Sequence, residues 1–207
     1  GLMHMAITNA VAGDPYEIDM MIFFMANMAW NSTMNTSKIR ESLCAKNKND
    51  EYKIPFLVVC DAFDSETVGY ADLVIPDTTY LERYDTISIL DRPISEPHAI
   101  CDSIRSPVLE PDRDVRPWQT VLVELASRLK FPAFTKKNGE RKFKDYKDFR
   151  INYEKAPGIG FLAGWRGENG ENSLKGKPNQ NQWEKYIENK CFFQYEIADS
   201  HKYFRGA

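Results

Sequence analysis

Asp61 stands directly after an apolar, β-branched run, Phe56-Leu57-Val58-Val59-Cys60. A carboxylate at the end of a strand is an acceptor at the place where open α/β sheets bind their ligands, outside the carboxyl ends of the strands. The chemistry open to it is to accept hydrogen bonds from a ribose hydroxyl or a guanine edge. The same pattern also fits an Asp that only caps a turn. Nothing else in the chain spells out a reaction centre. The four cysteines, Cys44, Cys60, Cys101 and Cys191, match no C-x-x-C spacing for zinc or iron–sulfur. His4, His98 and His201 are far apart in sequence. There is no Ser-His-Asp elbow, P-loop or metal cluster, so no catalytic residue is expected.

The elements that would hold Asp61 follow from the local pattern. The run 56–60 is too short for a helix and lacks alternation, which reads as a strand buried on both faces in a parallel sheet. Ser65 precedes Glu66-Thr67-Val68-Gly69-Tyr70-Ala71 as an N-cap before one short helix. A second apolar run, Leu73-Val74-Ile75, stops at Pro76. Strand, helix and strand at this spacing predict a parallel βαβ unit.

Further along, Gly13 ends a helix predicted from Leu2 to Val11, and Met20–Met25 reads as another buried strand. Thr36–Lys46 reads as a short amphipathic helix. Trp118–Leu129 reads as a helix begun by Pro117, with Val121, Leu122, Leu125 and Leu129 on one face to pack on the sheet. Phe143, Tyr146, Phe149 and Tyr153 interleave with lysines and arginines. Their spacing of three to four favours a packed helix face over a nucleic-acid surface. Gly158, Gly160 and Gly164 give a spacing one residue too long for the dinucleotide fingerprint. A last short helix is expected over Trp183–Glu188.

At 207 residues the chain can bury one real core, or one domain with an irregular appendage. A net charge of −3 leaves no basic footprint for nucleic acid, and no nucleic-acid partner is expected. The longest apolar stretch, near Met20–Trp30, falls far short of a bilayer span.

The string D-x-F-x-S-E-T-x-x-Y-A-D-L-V-x-P-D-T-T-Y-L-E-R, from Asp61 to Arg83, resembles the signature of molybdopterin oxidoreductases of the dimethyl sulfoxide reductase family. The stretches NMAWNSTMN at 27–35, LDRPISEPHAICDSIRSPVLEPDRDVRPWQ at 90–119 and PGIGFLAGWRGENG at 157–170 extend it. The likeness points to the sulfur-compound branch, similar to sulfite dehydrogenase, thiosulfate, polysulfide and tetrathionate reductase catalytic subunits. It covers most of this chain but a minor part of the family's catalytic subunit, so an internal fragment, inactive alone, is expected.

The resemblance implies an α/β fold: a Rossmann-like three-layer domain with a mostly parallel sheet, followed by an irregular C-terminal extension. Residues 1–132 would be part of the domain that binds molybdopterin guanine dinucleotide. Residues 133–207 would extend toward a further C-terminal domain. Asn27, Asp61, Thr67 and Arg83 would anchor the guanine dinucleotide. On residue pattern alone, Asn27 is equally an Asn in a turn at a strand end, and Arg83 beside Glu82 and Asp85 equally a salt-bridge partner. Arg92, Arg105, Arg113 and Arg116 would line a channel for an oxyanion or cofactor phosphate, or else pair with nearby Asp residues.

The molybdenum ligand and the iron–sulfur cysteines of the family are not in this sequence. In the complete protein the cofactor would be molybdenum held by molybdopterin guanine dinucleotide, with an iron–sulfur cluster in other regions. The implied activity is oxygen- or sulfur-atom transfer on an inorganic sulfur compound. The implied partners are further domains of the same catalytic subunit, together with iron–sulfur electron-transfer and membrane-anchor subunits. Self-association through exposed apolar surface is a further expectation. The compartment stays open between cytoplasm and periplasm, in a membrane-associated complex of a bacterium or archaeon. The competing reading is a stand-alone, non-catalytic α/β module that binds a nucleotide or a protein.

Overall fold

The run from Phe56 becomes β2 (Phe56–Asp61), the central strand of its sheet. The computed structural model describes residues 3–31, 33–87, 100–173 and 175–195. β1 (Met20–Phe24) and β3 (Leu73–Pro76) flank β2, both parallel to it, in the order β1-β2-β3. Leu57, Val58, Val59 and Cys60 are all buried, as a central strand of a parallel sheet requires. The chain divides into two compact units, Gly1–Thr79 with Pro111–Trp118, and Tyr80–Glu110 with Gln119–Ala207.

In the first unit, α1 (Ala6–Ala12) ends at Gly13, whose φ of +69° provides the left-handed C-cap expected of it. α2 (Thr36–Leu43) is capped by Asn35, whose side chain accepts from the Lys38 backbone N–H. Ile7 and Ala10 of α1 and Ile39 and Leu43 of α2 share one core with Phe23, Leu57 and Val59. Phe23 and Val59 are register partners, so this core covers one face of the sheet. The fold is therefore α/β with a parallel sheet, as the pattern predicts.

β1 departs from expectation. It forms at the predicted place, but Met20, Ile22 and Phe24 are exposed. As an edge strand it has the helix-covered face on one side only, and its alternate residues point away from that cover. The crossover between β2 and β3 also differs. In place of a helix over 66–71 there is a single 3-10 turn, Val68–Tyr70. Ser65 does not cap it; its hydroxyl donates to Asp61 instead. Asp72 then sets the start of β3. Its carboxylate accepts from the Leu57 N–H at 2.7 Å, and its own N–H donates to the Leu57 carbonyl at 2.9 Å.

The second unit combines antiparallel strands with helices. β4 (Asp85–Ile87), β5 (Ile100–Arg105) and β8 (Phe192–Tyr195) form an antiparallel sheet, with β5 in the middle. α3 (Trp118–Arg128) begins at the boundary between the units. Its expected packed face is instead exposed at Leu122, Leu125 and Leu129, while Val123 is buried. Periodicity locates an apolar face but not whether anything covers it. α4 (Tyr146–Asn152), capped by Asp145, joins Phe134, Phe143, Phe149, Tyr153 and Phe161 in one aromatic cluster. The hairpin of β6 (Glu154–Ala156) and β7 (Ile159–Gly160) follows, then α5 (Gln182–Glu188). Trp183 and Tyr186 of α5 bury against Ile104, Ile151 and Leu162. The Gly-rich stretch cradles a side chain: a methyl at Gly160 would lie 2.0 Å from the Arg166 guanidinium. No described helix is long and apolar enough to cross a membrane.

Leu57 and Ile22 test this division of the sheet. Leu57→Ala is expected to lower unfolding free energy by about 2–5 kcal/mol, as for a buried leucine that leaves a cavity. Ile22, 41% exposed, should lose much less on the same truncation. Urea denaturation of the two variants reads the difference.

Candidate functional site

The carboxyl ends of β1 and β2 open on a cavity of about 490 Å³, lined by Phe24, Met25, Asn27, Asn31, Asp61, Phe63 and their neighbours. That is within the roughly 300–1,000 Å³ typical of small-molecule sites. It lies where both strands stop at one level, with Phe24 beside Cys60. β1 hands over to Met25, whose N–H still donates to the Cys60 carbonyl at 2.9 Å. Met25 then takes a φ of +48°, a left-handed bend that starts the loop. Met28 and Ala29 are buried and anchor it. Phe24 is backed by the Trp118 ring, stacked at 6.0 Å between centroids.

Asp61 lies in this cavity. Its Oδ1 accepts from the Phe63 N–H at 3.1 Å and its Oδ2 from the Ser65 hydroxyl at 3.2 Å. It therefore does cap a turn. A carboxylate has about four lone-pair sites, so two further donors can still be met.

Asn27 lies in the same cavity, and Thr67 stands behind it. The Asn27 Oδ1 accepts from the Thr67 N–H at 3.2 Å and from the Thr67 hydroxyl at 2.8 Å. The Thr67 hydroxyl in turn accepts from the Ala29 N–H at 2.9 Å. Thr67 is fully buried, and its hydrogen bonds hold the loop after β1 to the crossover after β2. Asn27 Nδ2 donates to Glu66 Oε2, a contact that no sequence spacing signals because 39 positions separate the two. The Asn27 hydrogen bond, and next the Glu66 backbone, hold the exposed Glu66 carboxyl below the usual glutamate range.

Arg83 belongs to the second unit, so only three of the four anticipated residues are brought together here. It is buried. Its Nε is 3.9 Å from Asp85 Oδ2, and its guanidinium lies 5.3 Å from the Tyr80 ring centre. Arg105 covers the same ring at 5.0 Å and donates to Asp85 at 2.8 Å. Arg113 pairs with Asp112 at 3.6 Å, in the first unit. Arg116, also in the first unit, donates its backbone N–H to the Pro76 carbonyl at 3.3 Å. Arg92 lies outside the described residues. Among the described residues, no group of three or more His, Cys, Asp or Glu is arranged to hold a metal ion.

A family model described as molybdopterin oxidoreductase matches residues 7–128. The chain is 60% identical over 208 aligned residues to a sulfite dehydrogenase subunit of Allochromatium vinosum, covering 100% of this chain and 22% of that protein. It is 30% identical over 129 residues to the thiosulfate reductase molybdopterin-containing subunit PhsA of Salmonella typhimurium, covering 62% of this chain and 15% of that protein. The chain thus spans less than a quarter of the length of either relative.

Two substitutions probe the cavity wall. Thr67→Val leaves the Ala29 N–H buried and unmatched and should destabilise the fold by about 1–3 kcal/mol, read by urea denaturation. Thr67→Ser should restore most of that. Asn27→Ala should raise the Glu66 pKa toward the ordinary value in an NMR titration. A depressed folded-state pKa means that the Glu66 contribution to stability is present above the ordinary glutamate pKa and is lost as pH falls through the lowered one.

Proposed function

The chain belongs to the molybdopterin oxidoreductase family, and from that we propose that its first unit receives the guanosine end of a molybdopterin guanine dinucleotide. The family carries a molybdenum–pterin cofactor, and the likeness to the sulfite dehydrogenase of Allochromatium vinosum points to sulfur chemistry. The observation that carries the reading is Asp61, at the carboxyl end of the central parallel strand and in a cavity it shares with Asn27.

The residues present fit that end of the cofactor. The lining residues are apolar, amide, hydroxyl or acidic, and none is Lys or Arg. Such a wall is poorly matched to a phosphate. It suits an uncharged ring with donor groups, such as the N1–H and N2–H₂ edge of guanine or a ribose hydroxyl. Asp61 would accept those donors, and Phe63 and Phe24 supply apolar contact. Asn27 would contribute an amide, and Thr67 would keep that amide in place. Arg83 is the residue proposed for a cofactor phosphate, because a guanidinium fork suits a phosphate bidentately.

In the complete protein, the bound cofactor would supply the two-electron exchange that accompanies oxygen- or sulfur-atom transfer on an inorganic sulfur compound. This chain's residues would bind and orient one nucleotide end and exclude water around it. Further domains of the same catalytic subunit would cover the exposed apolar surfaces at Met20, Ile22, Phe24 and Leu73, and at Leu122, Leu125 and Leu129 of α3. Iron–sulfur electron-transfer and membrane-anchor subunits would complete the assembly; both relatives are themselves named as subunits.

Guanosine diphosphate tests the nucleotide reading. It should raise the melting temperature of the chain, and adenosine diphosphate should do so less. Asp61→Asn replaces one acceptor by a donor, so the affinity for guanosine diphosphate, measured by calorimetry, should fall by roughly ten- to a hundredfold. Equal binding of both nucleotides, or an unchanged affinity in the variant, would count against it.

A further inference from the structure

We infer that Glu66 is a positioning residue for this site: it fixes the Asn27 amide so that Asn27 meets a ligand only as a hydrogen-bond donor. The inference deepens the cofactor reading and rests on it. An amide offers two N–H donors and two lone pairs on its oxygen. Both lone pairs of Asn27 Oδ1 are taken, by the N–H and the hydroxyl of Thr67. One N–H of Nδ2 is taken by Glu66. A single N–H remains, on a residue that lines the cavity.

The orientation is enforced from both sides. The Thr67 backbone N–H can only donate, so it requires the amide oxygen. The Thr67 hydroxyl accepts from Ala29, so its own proton goes to Asn27. Glu66, ionised, can only accept, so it requires the amide nitrogen. Turning the amide over would set oxygen against carboxylate and NH₂ against N–H. The ligand must then present an acceptor atom to Asn27 and donors to Asp61, which has acceptor capacity left and no proton to give. A base edge on which a carbonyl oxygen adjoins N–H groups meets both demands. Glu66 is absent from the cavity lining, so its effect is carried through Asn27.

The test titrates guanosine diphosphate into the 207-residue chain and four variants by calorimetry, with NMR of the Asn27 side-chain NH₂. Glu66→Ala should weaken binding about tenfold. Glu66→Gln keeps an acceptor oxygen for Asn27 and should stay within about threefold of wild type. Asn27→Ala should lose about tenfold, and the Asn27→Ala/Glu66→Ala double variant no more than that. One Asn27 amide proton should move upfield in Glu66→Ala and keep its position in Glu66→Gln. Unchanged affinity in Glu66→Ala, additive losses in the double variant, or Glu66→Gln as weak as Glu66→Ala would each overturn the inference while leaving the nucleotide reading standing. Failure of the wild-type chain to bind guanosine diphosphate would overturn both, whatever the amide resonances show.

Discussion

The hydroxyl of Thr67 is the constraint on which the first unit's cavity depends. It is fully buried, accepts from the Ala29 N–H and donates to the Asn27 amide oxygen. Those two partners lie in the loop after β1, whereas Thr67 lies in the crossover after β2. Two loops that follow different strands are thereby made one wall. A fully satisfied polar network in a poorly solvated place is rigid, because every alternative leaves a donor or acceptor unmatched. The cavity keeps its shape by this means, without a regular helix in the β2–β3 crossover.

Much of this was legible in the sequence. The unbroken apolar run 56–60 marked a strand buried on both faces, because such a strand has no need of alternation. Gly13 marked a helix end because a positive φ is cheap only there. Trp183–Glu188 appeared as a helix one residue longer than expected. What escaped the sequence depended on partners far along the chain. β1 and α3 are apolar enough to look buried, yet their cover is a tertiary matter that composition does not record. Ser65 looked like a helix cap, but only a single 3-10 turn without a side-chain cap follows it, and its hydroxyl donates to Asp61. The role of Glu66 carries no signal in the sequence, since nothing within a few residues hints at Asn27.

The charges are distributed unevenly. The cavity at the end of β2 has a carboxylate and amides, while Arg83 and Arg105 stack on Tyr80 in the second unit around Asp85. On the proposed reading this separates two tasks. An acidic and amide wall suits an uncharged base edge, and a guanidinium suits a phosphate. Family membership alone carries no such partition; it comes from which side chains line the cavity.

Asp72 closes the crossover with two bonds to a single residue, Leu57, one from its backbone and one to its carboxylate. The alignment of β3 on β2 is thus pinned at its first step and does not rely on the length of the segment between them. Residues 62–71 can accordingly gain or lose positions over evolutionary time without shifting the sheet, provided that the Asn27–Thr67 contact survives. Ligand preference could drift in this loop while the scaffold beneath it stays put.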